Sequence, residues 1–271
     1  MTGTPTDRIE LNGAPARVED LRALVQTNYG HFTAMQVREC CVRGLELHLD
    51  RLVHAARELF DSELDRERLR GYLRHAIGVD TRPLSLRVNI FSRALDRTHM
   101  TAPAGLDVLI IVSAAATPAV TPLRLKSFRY QRELPNVKHV GTFPLFHYRR
   151  LAQQAGFDDA LFVTADGDIC EASVWNIGFH DGRGIVWPHG PQLDGIGMRL
   201  LQAGLARRDV PSAIRPVQLH EVPNFRAAFL TNSTAAVCPV VRIDDIEFPP
   251  DDALAEMLAA CHETNAWETV G

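Results

Sequence analysis

The stretch from Pro135 to Asn176 constrains the possible folds more than any other part of this sequence. Lys138 lies just before a helical pattern that ends near 155–156, and two strand patterns with a glycine-containing turn between them follow. The second of these strands is predicted to begin with Glu171 and to carry Asn176. Neighbouring helical and strand periodicities of this kind predict a mixed α and β fold.

Lys138 and Glu171 are also the residue types that an imine-forming cofactor requires. The lysine supplies the amine, and a carboxylate can keep a ring nitrogen of the cofactor protonated. Solvent-exposed lysines and glutamates are the common alternative in such a segment. Lys126 is a second candidate for the amine, but it lacks a glutamate at the corresponding spacing. The choice between a cofactor site and an ordinary surface therefore depends on the rest of the sequence.

Patterns elsewhere in the chain predict two α/β domains. Apolar residues recur on one stripe of a helix over 45–60, and strand patterns cover 31–37, 84–91, 106–112, 218–222 and 227–231. The segment 113–122 is rich in small residues and proline and has no hydrophobic periodicity, which is typical of a linker. We therefore predict an α/β fold with mixed sheets, built from a smaller N-terminal domain (1–115), a linker (116–122) and a larger C-terminal domain (123–271).

Composition and charge argue against several other classes of protein. The 271 residues are 46% hydrophobic and 23% charged, and the net charge of -4 gives no basic surface for nucleic acid. The five cysteines form no CxxC pair and no metal-ligand spacing, which predicts a reducing compartment and no metal site. The first residues lack the apolar core of a signal peptide, and the longest apolar run, 108–116, is too short to span a bilayer. We expect a cytoplasmic protein without a membrane or nucleic-acid partner.

Three features suit a bound phosphate. The run Asp194-Gly195-Ile196-Gly197 leads into a predicted helix over 197–208, whose free N–H groups and positive dipole end attract anions. The run 231–234 (TNST) offers side-chain donors after a strand, and Arg51 lies on the helix over 45–60. Singly, each has an ordinary structural explanation as a turn, a capped loop or a surface arginine. The nucleotide-binding patterns GxxxxGK[ST] and GxGxxG are absent.

Taken together, these motifs resemble a known family. Their order is Phe32-Thr33, HLDRL (48–52), Lys138, EASVWN (171–176), LDGIG (193–197) and TNSTAAVCPV (231–240). The series resembles the class IV, or fold type IV, pyridoxal-phosphate enzymes, which include branched-chain and D-amino-acid aminotransferases and aminodeoxychorismate lyase. The resemblance extends over about residues 28–245. It implies a two-domain fold type IV enzyme with pyridoxal 5'-phosphate as its cofactor.

The resemblance also implies a role for individual residues. Lys138 corresponds to the lysine that forms the aldimine with the cofactor and then moves a proton, and Glu171 corresponds to the carboxylate that faces the pyridine nitrogen. The residues that correspond to the phosphate-binding set are Arg51, Ile196, Gly197, Asn232 and Ser233. Asn176 is expected to support its strand. The histidines at 31, 48, 139 and 147 are expected to be structural or to line a pocket.

Three positions depart from the family pattern. Many relatives have Gly-Ile-Thr at the phosphate turn, whereas this chain has Gly197 at the third place and so lacks one hydroxyl. Relatives often have Asn or Asn-Tyr shortly after the lysine, where this chain has 140–142 (VGT). Relatives often have Phe-Glu-Thr in the first strand, and Phe32-Thr33-Ala34 is slightly more similar to the lyase branch.

The resemblance favours an aminotransferase that moves an amino group between an amino acid and a 2-oxo acid, acting as a homodimer. Elimination of the 4-amino-4-deoxychorismate lyase type on the same scaffold, or a non-catalytic binding protein, are the alternatives. An acid substrate requires a partner for its carboxylate, and we predict that Phe32, Arg87 and Arg93 contribute to substrate binding. Arg97, Arg129 and Arg132 are rival candidates for that partner.

Overall fold

The computed structural model describes residues 8–115 and 121–271, so most of the predicted linker (116–122) lies outside the described residues. The helices in the described part are α1 (Arg22–Thr27), α2 (Leu45–Phe60), α3 (Arg66–Ile77), α4 (Phe143–Gln154), α5 (Ile196–Arg207) and α6 (Asp252–Glu263), with short 3-10 helices at Val18–Leu21 and Leu219–Asn224.

The strands are β1 (Arg8–Leu11), β2 (Ala14–Pro15), β3 (His31–Arg38), β4 (Cys41–Arg43), β5 (Leu84–Phe91), β6 (Asp107–Ala114), β7 (Leu123–Arg129), β8 (Asp159–Val163), β9 (Ile169–Ala172), β10 (Asn176–His180), β11 (Ile185–Pro188), β12 (Ser212–Arg215), β13 (Ala227–Thr231), β14 (Cys238–Ile243), β15 (Ile246–Glu247) and β16 (Trp267–Thr269).

The structure confirms several predicted elements and corrects others. The helix over 45–60 and the strands over 84–91 and 227–231 are present with the predicted bounds. The prediction that one strand begins with Glu171 and carries Asn176 was wrong, because Glu171 lies in β9 and Asn176 opens β10, with a tight turn between them. The predicted strand at 218–222 was also wrong, since this segment belongs to a 3-10 helix. Strand β6 continues to Ala114, two residues beyond the strand predicted over 106–112.

The chain divides into two compact units that are not continuous in sequence. The first contains the described residues of Met1–Thr117 together with Val137–Gly141 and Ala266–Gly271, and the second contains those of Pro118–Asn136 and Thr142–Asn265. Lys138 therefore belongs to the first unit, although it lies far along the chain. The domain boundaries inferred from the sequence remain a prediction.

The first unit is an antiparallel sheet with helices packed on one face. The strand order is β16-β4-β3-β5-β6-β1-β2. Alternate residues of β3, β5 and β6 form a core with the apolar stripes of α2 and α3, and this core includes Met35, Val88, Ile110, Leu49 and Leu73. Because side chains alternate along a strand, the other face of the sheet carries a different set of side chains, which includes Phe32, Arg87 and Asn89.

The second unit is a nine-stranded mixed sheet with helices packed against it. Its order is β12-β11-β10-β13-β14-β7-β8-β9, with β15 on β14, and the pairs β11–β12, β14–β7 and β7–β8 are parallel. Helices α5 and α6 pack around Trp187 and Phe229, while α4 packs on Phe162 of β8. Fully buried short strands explain why sequence periodicity is weak here. Within the described ranges, no helix is long and apolar enough to cross a membrane.

Candidate active site

Lys138 is held by backbone pairing at an edge of the first sheet. Strand β4 pairs with β3 at Val37 and Arg38, which lie at the end of β3. The beginning of β3 can therefore pair with another segment. The N–H of Phe32 donates to the carbonyl of Lys138 at 2.9 Å, and the N–H of Val140 donates to the carbonyl of Gly30 at 2.9 Å. These two hydrogen bonds flank His139 and fix the backbone immediately after Lys138.

The side chain of Lys138 lies on the face of the sheet opposite the helices. Its Nζ is 5.0 Å from the centroid of the Phe32 ring, and the guanidinium carbon of Arg87 is 3.6 Å from the same centroid. Arg87 donates from Nε to Oδ1 of Asn89 at 3.0 Å. Burial lowers the pKa of Arg87 from its usual value. Two cations thus contact one aromatic ring, a favourable arrangement for each of them.

His48 connects α2 to the strand that pairs with Lys138. Its Nδ1 lies 2.6 Å from the hydroxyl of Thr33, and both side chains are buried. Burial, together with the charges of Arg51 and Lys138, lowers the pKa of His48 to about 3. His48 is therefore neutral at physiological pH and does not act as a proton carrier there. Arg51 follows His48 by one helical turn, so α2 brings both residues to the same side.

Glu171 is buried in the second unit beside a cation. Its Oε1 accepts from Nε of Arg132, and both side chains are only 3% exposed. Its Oε2 accepts from the N–H of Leu193 at 3.3 Å. Opposite charge at this range favours the ionised carboxylate, whereas burial alone would disfavour it. The neighbouring thiol of Cys170 is inert, because burial and the charge of Glu171 raise its pKa to about 12.

Hydrogen bonds on two sides hold the turn between β9 and β10. The hydroxyl of Ser173 donates to Asp159 at 2.6 Å, and Arg149 on α4 donates to the same carboxylate at 2.7 Å. On the other side, Nδ2 of Asn176 donates to the carbonyl of Leu193 at 2.7 Å. The peptide groups of Leu193 therefore bind both Glu171 and Asn176. The supporting role expected of Asn176 agrees with this contact and remains a prediction.

The predicted phosphate turn and the predicted hydroxyl loop meet in the second unit. Helix α5 begins at Ile196, and no side chain caps its first N–H groups. A Cβ on Gly197 would lie 2.5 Å from the carbonyl oxygen of Asn232, so only glycine allows this approach. Oδ1 of Asn232 accepts from the N–H groups of Thr234 and Ala235, both at 2.9 Å, which shapes the loop around Ser233. Uncapped helix N–H groups beside a serine fit a phosphate.

The predicted site residues fall into two sets that the structure describes separately. The first unit brings together Phe32, Arg51, Arg87 and Lys138, and the second brings together Glu171, Ile196, Gly197, Asn232 and Ser233. Arg93 lies apart from these sets, because its guanidinium pairs with Asp20 at 2.5 Å and with Asp107 at 3.1 Å.

Arg132 contacts a predicted site residue in a way that the sequence did not indicate. It was considered only as a rival partner for a substrate carboxylate, yet it is 4% exposed and bonded to Glu171. Its position six residues before Lys138 gives no signal of that contact. The contact depends on the segment that follows β7 lying beside β9, which no local pattern indicates.

The sequence model described as amino-transferase class IV matches residues 30–243. The chain belongs to the class IV aminotransferase family. Members of this family are pyridoxal-phosphate enzymes, and the prediction of an enzyme of this family is thereby confirmed. A "Probable branched-chain-amino-acid aminotransferase" of Synechocystis sp. (strain ATCC 27184 / PCC 6803 / Kazusa) is 29% identical over 109 residues, which cover 40% of this chain and 36% of that relative. The chain thus matches little more than a third of the length of that curated relative.

Solved structures of other proteins have the same fold as this chain. The branched-chain aminotransferase of Thermoproteus uzoniensis, solved with norvaline, has a TM-score of 0.85 at 16% identity and covers 94% of this chain and 93% of its own. A protein of Legionella pneumophila named as a candidate 4-amino-4-deoxychorismate lyase has a TM-score of 0.76 at 19% identity, with 93% and 96% covered. The predicted mixed α/β fold type IV architecture is confirmed.

Proposed function

We propose that this class IV family member is a pyridoxal-phosphate-dependent aminotransferase that moves an amino group between an amino acid and a 2-oxo acid. The observation that carries the proposal is the placement of Lys138. Its backbone is fixed by pairing with β3, and its amine lies 5.0 Å from the centroid of the Phe32 ring, on the same helix-free face as Arg87. A fixed amine beside an arginine suits a substrate that carries a carboxylate.

The residues present fit pyridoxal phosphate. When bound, the cofactor would supply an aldehyde for an amine and a ring that withdraws electrons from the substrate. Lys138 would provide the amine, and Glu171 would hold a proton on the ring nitrogen. The N–H groups of Ile196 and Gly197, the loop of Asn232 and Ser233, and Arg51 would bind the phosphate. The close contact of Gly197 with Asn232 supports this assignment, because a side chain at 197 would fill the same space.

Proton transfer is assigned to the lysine. Nζ of Lys138 would take the proton from the substrate Cα and return it later, acting as base and then as acid. His48 stays neutral beside it, since its pKa is lowered to about 3. The histidine would therefore orient Thr33 and leave the proton transfer to Lys138.

Arg87 is the proposed partner of the substrate carboxylate. In the described part of the chain, Arg87 donates to the neutral amide oxygen of Asn89 and no carboxylate pairs with it. Burial lowers the pKa of Arg87. Arg93 is the weaker candidate because two carboxylates already pair with it. The names of the relatives suggest leucine, isoleucine and valine as the first amino donors to test, with 2-oxoglutarate as acceptor.

The test uses the fact that the sequence contains two lysines, Lys126 and Lys138. Pure protein is loaded with pyridoxal phosphate and reduced with borohydride, and the modified peptide is located by mass spectrometry. We expect modification at Lys138, loss of the cofactor absorbance in Lys138→Ala and its retention in Lys126→Ala. Lys126 is a suitable control because it lies 3.8 Å from Asp244 and is partly exposed. Modification at Lys126, or protein that stays colourless with the cofactor, would rule the proposal out.

A lyase is the second candidate, since Thr33 stands where relatives often have glutamate and the Legionella protein shares the fold. Mixing the loaded protein with L- and D-amino acids distinguishes the reactions. Conversion of bound cofactor to the pyridoxamine form supports the transferase. Release of pyruvate and 4-aminobenzoate from 4-amino-4-deoxychorismate, without conversion by any amino donor, supports the lyase. A bound cofactor that neither treatment changes indicates a non-catalytic binding protein.

We also propose a homodimer, on the ground of the family resemblance. Light scattering coupled to size-exclusion chromatography tests it, and the expected mass is twice the 30.1 kDa of one chain. A monomer at micromolar concentration would contradict this expectation without bearing on the cofactor.

A further inference from the structure

Arg132 and Glu171 form a buried ion pair in the second unit. Each side chain is 3% exposed, and Nε of Arg132 donates to Oε1 of Glu171. Burial raises the pKa of the nearby Tyr130, and the charge of Glu171 raises it further while that of Arg132 lowers it. A carboxylate with so little water needs a cation to stay ionised.

The same pair connects to the turn before α5. Oε2 of Glu171 accepts from the N–H of Leu193, and the carbonyl of Leu193 accepts from Asn176. Leu193 precedes Gly195 by two residues, and a Cβ on Gly195 would lie 1.7 Å from Oδ1 of Asn176. Glu171 is therefore bound at one oxygen by a guanidinium and at the other by a peptide that is itself fixed. These two contacts fix the direction in which the Glu171 carboxylate points.

We propose that Arg132 is a positioning residue, whose guanidinium keeps Glu171 ionised and fixes the direction of its carboxylate toward the cofactor's ring nitrogen. This inference rests on the proposed function for the role of Glu171, but the ion pair itself is independent of it. Arg132 acts through Glu171 and does not bind substrate. Its loss should therefore lower the reactivity of bound cofactor more than the affinity for an amino acid.

The first test uses protein without cofactor. Arg132→Met, Glu171→Gln and the double variant are compared with the original chain by urea unfolding at pH 7.5. Arg132→Met should raise the unfolding constant by about 100-fold or more, since it removes the buried cation that pairs with the Glu171 carboxylate. The double variant should lie within about tenfold of the original chain, because two neutral residues replace a buried pair at little net cost. Arg129→Met is the control, because Arg129 is exposed at the end of β7. Equal losses in the single Met variant and the double variant would overturn the inference.

The second test uses protein loaded with pyridoxal phosphate. The absorbance spectrum of Arg132→Met should resemble that of Glu171→Gln, and kcat per bound cofactor should fall about tenfold or more while KM for the amino donor changes less than about threefold. Arg132→Lys keeps the charge and should recover most of kcat. If Arg132→Met does not fold, Arg132→Lys and the double variant carry the spectral comparison.

The outcomes separate the two proposals. An original chain that binds no pyridoxal phosphate contradicts the proposed function, while the unfolding comparison still decides whether the pair keeps Glu171 ionised. A loaded Arg132→Met protein with the original spectrum and the original kcat per bound cofactor would overturn the role of Arg132 and leave the proposed function intact.

Discussion

At the scale of single residues, two arginines on the first unit differ in what already binds them. Arg87 contacts the Phe32 ring and the amide of Asn89, both uncharged, whereas Arg93 is paired with Asp20 and Asp107. A guanidinium that lacks a carboxylate partner can give both N–H groups of its fork to a substrate. The difference between the two arginines leads to a measurable prediction.

Arg87→Met should raise KM for an acidic 2-oxo acid such as 2-oxoglutarate by about 10-fold to 100-fold, since a hydrogen bond to a charged group contributes about 1.5–3 kcal/mol. The absorbance of the bound cofactor should not change. Arg93→Met is the matched control and should leave KM within about threefold, apart from a loss of stability from its two ion pairs. The opposite ranking of the two variants in steady-state kinetics would assign the carboxylate to Arg93.

His31 is a second residue whose surroundings have a measurable consequence. It is fully buried, neither ring nitrogen has a hydrogen-bond partner among the described residues, and burial lowers its pKa to about 3. The unfolded chain binds a proton at His31 near pH 6.5, whereas the folded chain does not. Stability is therefore lost as the pH falls from about 6.5 toward 3.

His31→Leu should remove this loss. Between pH 7.5 and pH 4.5 the free energy of unfolding of the original chain should fall by about 2–3 kcal/mol more than that of the variant, because two pH units below 6.5 correspond to about 2.7 kcal/mol. The exposed His54 on α2 supplies the control variant His54→Gln. Urea unfolding across this pH range provides the measurement, and parallel curves for His31→Leu and the original chain would contradict the prediction.

At the scale of elements, the start of α5 explains a departure from the family sequence. Many relatives have threonine where this chain has Gly197, so this turn lacks one hydroxyl donor. The structure gives a steric reason for the glycine, since a Cβ at 197 would lie 2.5 Å from one atom and 2.6 Å from another of the Asn232 backbone. Helix and loop approach each other more closely than any side chain allows.

Gly197→Ala should therefore destabilise the protein by about 1–3 kcal/mol, the usual range for overpacking, and weaken the binding of pyridoxal phosphate. Gly71→Ala is the matched control. It lies inside α3 with only the end of the Arg74 side chain at 3.9 Å, so alanine should stabilise the helix by up to about 1 kcal/mol. Thermal unfolding with and without cofactor measures both effects. A Gly197→Ala protein as stable as Gly71→Ala would show that the loop moves aside freely.

Elements with a strong amphipathic stripe could be predicted from the sequence, and short buried ones could not. Helix α2 has the predicted bounds because one stripe of leucine and alanine faces the sheet. The residues of β9 are all buried, so no alternation marks where β9 ends and β10 begins. This is why Glu171 and Asn176 were placed on one strand. Residues 218–222 have strand-like composition, yet a capping box between Gln218 and Glu221 starts a 3-10 helix there.

At the scale of the whole molecule, motif order in the sequence predicted the candidate site residues and gave no sign of the groups that contact them. Lys138, Arg51 and the Gly195–Gly197 turn occur in recognisable runs. Arg132, Thr33 with His48, and Leu193 act through contacts between residues far apart in sequence, and only strand pairing and helix packing create those contacts. Likewise, the sequence of neither segment alone indicates that β3 pairs with the segment around Lys138.

The last strand of the chain also contacts residues that are far away in sequence, and the effect of one such contact on stability can be measured. Strand β16 pairs with β4, Trp267 lies 4.7 Å from the guanidinium of Arg43, and Glu268 accepts from the N–H of Gly44 at 3.1 Å. Gly44 is the N-cap of α2, the helix that carries Arg51, so a carboxylate from the end of the chain stabilises the start of that helix.

Glu268→Ala should lower the free energy of unfolding by about 1 kcal/mol, the usual cost of a lost helix cap, and raise amide hydrogen exchange in the first turn of α2. Exchange in α6 should stay the same, although α6 is the nearest helix in sequence, because α6 belongs to the second unit. Glu263→Ala, at the exposed end of α6, is the control and should leave α2 unchanged. If exchange rose in α6 and not in α2, the assignment of residues 266–271 to the first unit would be wrong.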